Sequence, residues 1–200
     1  MRKILIVVDM QNDFVTGSLG TPEAQAIVPR VVEKVRECKE NGYDIFFTQD
    51  THEEDYLETL EGRYLPVEHC IEDTDGWNII SELNDFVPDR FDDFLIEKYT
   101  FGFDNWSNWL WDIVVDTDYD GLEENLLNDD EDERWGKNLK FEIIGLCTDI
   151  CVISNALILR AQFPNSEIIV HADCCAGTTP EKHAAALEVM KSCQILVKGE

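Results

Sequence analysis

Basic residues are scarce in this chain: 16 lysines and arginines stand against 42 aspartates and glutamates, a formal charge of −26 over 200 residues. Phosphate backbones and anionic bilayers are held by clustered positive charge, so neither nucleic acid nor membrane is an expected partner. Long apolar runs are missing as well. No stretch of about 18 uncharged apolar residues exists for a membrane span. The early run Ile4 to Val8 is broken by Asp9 too soon for a secretory signal, which predicts a cytoplasmic protein. Seven cysteines, odd in number and without repeating spacing, do not describe a disulfide framework and fit a reducing compartment. Such acidity repels anionic ligands unless a metal or a local base intervenes. A neutral or cationic small molecule is the easier partner.

What is present is an alternation of apolar strands and amphipathic helices. Lys3 to Val8 is a continuous apolar run of the kind buried on both faces of a parallel sheet. Thr21 and Pro22 open a helix that Gly42 stops, and Asp44 to Gln49 follows as a second strand. A short helix is expected over Trp77 to Leu83 and strands over Asp93 to Glu97 and Lys140 to Gly145. A helix over Ile150 to Phe163, a strand over Glu167 to His171, a helix from Thr179 and a closing strand over Gln194 to Val197 complete the chain. With 44% hydrophobic residues, 200 residues make one domain. The alternation predicts an α/β fold, a three-layer α-β-α sandwich around a parallel, Rossmann-like sheet of about six strands.

Polar residues gather where these strands end. Asp9, followed by Gln11, Asn12 and Asp13, closes the first strand, Asp50 and His52 the second, and Lys98 the third. The fourth leads through Gly145 to Cys147 and Cys151. Open α/β sheets place ligands outside the carboxyl ends of their strands. A cysteine at the start of the helix after that strand sits in the positive end of the helix dipole, which lowers a thiol pKa and makes it a candidate nucleophile. Between Asp50 and Cys70 lie two of the four histidines among many carboxylates, a set suited to zinc, iron or manganese, with a solvated acidic loop as the competing reading. Phe101, Phe103, Trp106, Trp109 and Trp111 form an aromatic cluster that is chiefly core. Phe101, nearest Lys98, is a candidate pocket residue together with Phe14.

Taken together, Val8-Asp9-Met10-Gln11-Asn12-Asp13-Phe14, Asp50-x-His52, Lys98, Gly145-x-x-Thr148-Asp149-x-Cys151-Val152 and Asp173 to Glu181 resemble the isochorismatase-like hydrolase superfamily, and within it the nicotinamidases. The resemblance covers most of the chain. It implies a catalytic triad of Asp9, Lys98 and Cys151, with backbone N–H groups of Cys147 and Cys151 binding an oxyanion and a cis peptide before Cys147. It implies one divalent metal, zinc first, with iron or manganese possible, held by Asp50, His52, His69 and, by spacing, Glu61; Glu58 and Asp55 are the fallbacks. The implied substrate is a small amide, nicotinamide above others. Superfamily members without the metal site act on other amides, ureas or enol ethers, and a related hydrolase of another small amide or carbamoyl compound is the alternative. A homo-oligomer is the expected assembly. Residues 112 to 134, very acidic, depart from the family's pattern and read as a surface insertion.

Overall fold

A computed structural model of the chain describes residues 1–90, 92, 94–110 and 136–200. Asp93, Trp111 and the acidic stretch 112 to 134 lie outside the described residues.

Six parallel strands form one sheet: β1 (Arg2–Val8), β2 (Asp44–Asp50), β3 (Leu95–Lys98), β4 (Leu139–Leu146), β5 (Glu167–Ala176) and β6 (Leu196–Lys198). Their spatial order is β3-β2-β1-β4-β5-β6. The chain therefore grows outward from β1 in one direction, returns, and grows outward from β4 in the other. β1 and β4 flank the switch point, and the crevice at their carboxyl ends is where such sheets bind ligands. Register carries the polar ends into line, with Val8 opposite both Thr48 and Gly145, and Asp50 opposite Lys98.

The period of two along β1 sorts its apolar residues into two cores. Ile4, Ile6 and Val8 face a layer that includes Val152, with Ala156 and Leu159 of the Ile153–Gln162 helix just after it, and Leu187 and Met190 of the Pro180–Ser192 helix. Leu5 and Val7 face the other layer, where the Pro22–Glu40 helix contributes Ala24, Ile27, Val31 and Val35. Each fully buried aliphatic side chain stabilises the fold by about 1.5–3 kcal/mol relative to exposure, so the central strand is the best-anchored element. Thr21 and Thr179 cap their helices through side-chain oxygens, and proline occupies the first turn of both. Among the described residues no helix is long and apolar enough to cross a membrane.

Three local expectations are corrected. The segment Trp77 to Leu83 is not a helix apart from a short turn at Ser81–Leu83. Its backbone bonds outward: Asn78 O accepts from Asn12 N, and Ile80 N donates to Met10 O. β5 runs on past His171 to Ala176, because Cys174, Cys175 and Ala176 are buried and Asp173 finds an ion pair with Arg30 at 2.7 Å. The helix expected from Ile150 begins as an α-helix only at Ile153. Thr148–Val152 form a wide π-type turn in which Val152 N donates to Cys147 O. Trp106 packs fully in the core, with Phe103 and Trp109 against it, as expected for that cluster.

On the face covered by the Pro22–Glu40 helix, β4 also buries a carboxylate far from the strand ends. Glu142 receives Lys34 at 2.7 Å, Lys140 at 2.8 Å, the Tyr43 hydroxyl at 2.8 Å and His171 at 2.6 Å. Burial alone would raise its pKa, but the hydrogen bonds from His171, Lys140, Lys34 and Tyr43 outweigh burial and hold it far below the ordinary glutamate range. A depressed folded-state pKa contributes stability that is complete above the unfolded value of about 4.3 and is lost as the pH falls below it. Glu142→Ala is expected to lower stability by about 3 kcal/mol at pH 7, with a smaller difference from the parent below pH 4, read by urea unfolding at both pH values.

Candidate active site

The carboxyl ends of β1, β2 and β3 deliver one charged residue each to a common point. Lys98 Nζ lies 2.7 Å from Asp9 Oδ2, 2.9 Å from Asp50 Oδ1 and 3.6 Å from Cys151 Sγ. Asp9 and Lys98 are 0% and 2% exposed. Asp9 Oδ1 accepts from the Thr48 hydroxyl at 2.6 Å, whereas Oδ2 lies 2.7 Å from the Lys98 ammonium. Asp9 also adopts a left-handed backbone, with φ of 47°. Non-glycine residues are held there only when their surroundings demand it. Beside it, Gly145 has φ of 118°, and a Cβ would stand 2.1 Å from Val8 O. Only glycine lets β1 and β4 approach this closely at the switch point.

The turn that carries Cys151 is pinned on several sides. The Leu146–Cys147 peptide is cis. Asp149 accepts from the backbone N–H and the hydroxyl of Thr178, each at 2.7 Å, and the Thr148 hydroxyl meets His183 Nδ1 at 2.8 Å. Asn155 donates to Cys151 O and accepts from Trp106 Nε1, which joins the turn to the aromatic core. The expected lowering of the Cys151 pKa is reversed. Burial pushes the thiol well up, and Asp9 and Asp50 add to it, while Lys98 works the other way. A π-type turn at the end of a buried strand does not offer the solvated helix N-terminus that the expectation assumed. Cys147 is likewise pushed up to about 12, chiefly by burial. Asp9 is raised by burial and by Asp50 despite Lys98. Lys98 is held well above its ordinary value, because Asp9, Cys151 and Asp50 outweigh the cost of burying its charge. Burial would raise Asp50 too, but Lys98 and His52 bring it down to about 2.

Adjacent to this cluster, donor atoms of Asp50, His52 and His69 lie within 4.8 Å of one another, with a Glu61 oxygen beside the two imidazoles. His52 Nε2 is 3.1 Å from Asp50 Oδ2, His69 Nε2 is 3.8 Å from the same oxygen, and Glu61 Oε1 lies 3.9 and 3.8 Å from the two imidazoles. A tetrahedral ion with bonds of about 2.1 Å has donor–donor edges of about 3.4 Å, so the set is sized for one small divalent cation. Asp50, His52 and His69 are all buried. His69 Nδ1 donates to Val67 O at 2.8 Å, which leaves its Nε2 free for the cluster. Glu61 reaches the donors because the short Leu60–Tyr64 helix turns it inward, whereas Glu58 and Asp55 are exposed. Tyr56, fully buried, stands against both imidazoles with ring centroids 4.7 and 4.9 Å away. Sequence reasoning missed Tyr56 and Thr48. Thr48 was findable, being two residues before Asp50 and so on the same strand face.

Asp50, Glu61 and His69 open onto the same cavity as Cys147 and Cys151, a space of ≈ 830 Å³. Phe14 and Phe101 line it too; Phe14 is buried and Phe101 stands at the mouth, 44% exposed.

The isochorismatase domain model matches residues 3–199. The chain belongs to the isochorismatase family. Among relatives, a nicotinamidase of Schizosaccharomyces pombe is 28% identical over 98% of this chain and 92% of its own. The pyrazinamidase of Pyrococcus horikoshii, solved in complex with zinc, superposes with a TM-score of 0.72 at 29% identity, over 98% of both chains. An N-carbamoylsarcosine amidase from Thermoplasma acidophilum shares the fold, with a TM-score of 0.68 at 24% identity, over 99% of this chain and 96% of its own.

Within this isochorismatase-family site, Lys98 is the one cation between two buried carboxylates. Removing one member of a buried ion cluster typically costs about 3–5 kcal/mol, since the charges left behind lose their partner. Lys98→Met is expected to lower the unfolding free energy of the metal-free protein by about 3 kcal/mol, measured by urea denaturation at pH 7.

Proposed function

We propose that this isochorismatase-family protein is a nicotinamidase, a cysteine-dependent amidohydrolase that converts nicotinamide to nicotinic acid and ammonia. The observation that carries the reading is that the Cys151 thiol and a set of donors sized for one divalent ion share a cavity. The zinc complex of the pyrazinamidase relative supports the metal, and the nicotinamidase relative supports the substrate. Zinc is the first choice of ion, with iron and manganese compatible with the same donors.

In this reading Asp50, His52, Glu61 and His69 would hold the ion, which when bound would supply Lewis-acid chemistry to orient the pyridine ring. The chain's own residues do the rest. Phe14 and Phe101 flank the ring and exclude water. Asp9, whose pKa is raised by burial, takes the proton of the Cys151 thiol as Sγ bonds to the carboxamide carbon. The thiol's own raised pKa means that thiolate forms only as that proton leaves, with the Lys98 ammonium beside it to stabilise the charge. Backbone N–H groups of Cys147 and Cys151 stabilise the oxyanion, a contribution commonly worth about 3–4 kcal/mol per donor. Asp9 returns the proton to the leaving nitrogen, the C–N bond breaks, and ammonia departs. Water then adds to the thioester with Asp9 as base, the C–S bond breaks, and the thiol regains its proton.

Purified protein incubated with nicotinamide is expected to release ammonia and nicotinic acid in equal amounts. Cys151→Ala should lower kcat by at least about 10⁴-fold, as removal of a nucleophile does elsewhere, and unchanged turnover in that variant rules the mechanism out. Removal of metal by a chelator should cut nicotinamide turnover about a hundredfold, the scale expected when a substrate loses its alignment, with recovery on adding zinc, iron or manganese. Full turnover by metal-free protein, or activity confined to carbamoyl compounds, points instead to a related amidase of the same family.

A further inference from the structure

The polar turn after β1 holds more than the catalytic aspartate. Gln11 is fully buried and spends its whole amide on backbone: Nε2 donates to Asp50 O and to Trp77 O, and Oε1 accepts from Asp50 N, all at 2.8 Å. Two residues on, Asp13 Oδ2 accepts from Cys70 N at 2.8 Å, Oδ1 accepts from Ser18 N at 3.2 Å, and its own N–H donates to Gly76 O at 3.0 Å. Gly76 comes so close that a Cβ there would lie 2.1 Å from Asp13 Oδ2.

The two bonded peptides are not arbitrary ones. Asp50 is itself a donor in the proposed metal set. Cys70 directly follows another, His69, and holds a left-handed backbone with φ of 46°. Cys70 O in turn accepts from His52 N, and Glu72 N donates to His52 O, so the backbones around all three buried donors are joined. The free energy of a metal site depends on donors being held apart at the right spacing before the ion arrives, and partners outside the ligand sphere supply that restraint. Here the restraint comes from the turn that carries Asp9.

We infer that Gln11 and Asp13 act as a clasp, positioning Asp50 and His69 relative to one another and to Asp9 without touching the ion. The inference rests on the metal reading above. It assigns a task to the residues between Asp9 and Phe14, which the proton-transfer steps leave unused.

The test is zinc affinity, with no substrate involved. Full-chain protein is stripped by a chelator, refolded state is checked by circular dichroism, and zinc alone is titrated against a chromophoric competitor. Loss of an outer-sphere partner typically weakens metal binding by about 10- to 100-fold. Asp13→Ala and Gln11→Met are each expected to raise the zinc Kd at least tenfold on that scale, while Asp13→Asn, which keeps an oxygen for Cys70 N–H, stays within about threefold. A merely structural role predicts something else: a lower melting temperature for the metal-free variant with an unchanged zinc Kd. Should the alanine variant not fold, Gln11→Met carries the same test through Asp50. Parent-like zinc affinity in either folded variant overturns the clasp, as does an asparagine variant as weak as the alanine one. A parent protein that takes up no zinc overturns the metal reading itself, and the clasp with it.

Discussion

An ammonium group buried at the ends of three strands is the constraint around which this molecule is arranged. Lys98 Nζ cannot be solvated where it lies, so it requires anions within reach, and Asp9 and Asp50 supply them at 2.7 and 2.9 Å. Each of these carboxylates is also costly to bury alone. The three are therefore stable only as a set, which demands that β1, β2 and β3 end at the same level. The third contact, Cys151 Sγ at 3.6 Å, brings the thiol into that set from across the switch point.

Asp50 faces two ways, and this joins the two halves of the site. Its Oδ1 accepts from Lys98, while its Oδ2 faces His52 and His69. The Asp9–Lys98–Cys151 cluster and the two imidazoles are thereby separated by a single carboxylate group. Gly145 contributes at the opposite wall, since its bare Cα lets β4 close on Val8 O and sets where Cys147 and Cys151 begin. Rigid strands position the chemistry, and the loop from His52 to Ile80 closes over it.

Much of this was legible from residue order. The apolar run Ile4 to Val8, the caps at Thr21 and Thr179, and the polar residues at each strand end lead to a parallel α/β sheet and to Asp9, Asp50, His52, Lys98 and Cys151. These signals are local, and local signals survive in a sequence. Trp77 to Leu83 departs from the expected helix because its backbone partners, Met10 and Asn12, lie far away in the chain. β5 was cut short at His171 because Asp173 looks like a turn residue until Arg30 is placed beside it. The thiol was misjudged because a pKa depends on what surrounds the group in space.

The sequence by itself determined the order of strands and helices, the family, and the short list of residues that carry acid, base, thiol and imidazole. Periodicity and motif spacing encode these along the chain. Only the tertiary structure decided that Glu61, and neither Glu58 nor Asp55, stands beside the imidazoles. It alone decided that burial raises the pKa of the thiol, and that the thiol shares one cavity with Asp50, Glu61 and His69. Each of those depends on distances between residues tens of positions apart, and on the water excluded from between them, which no local pattern records.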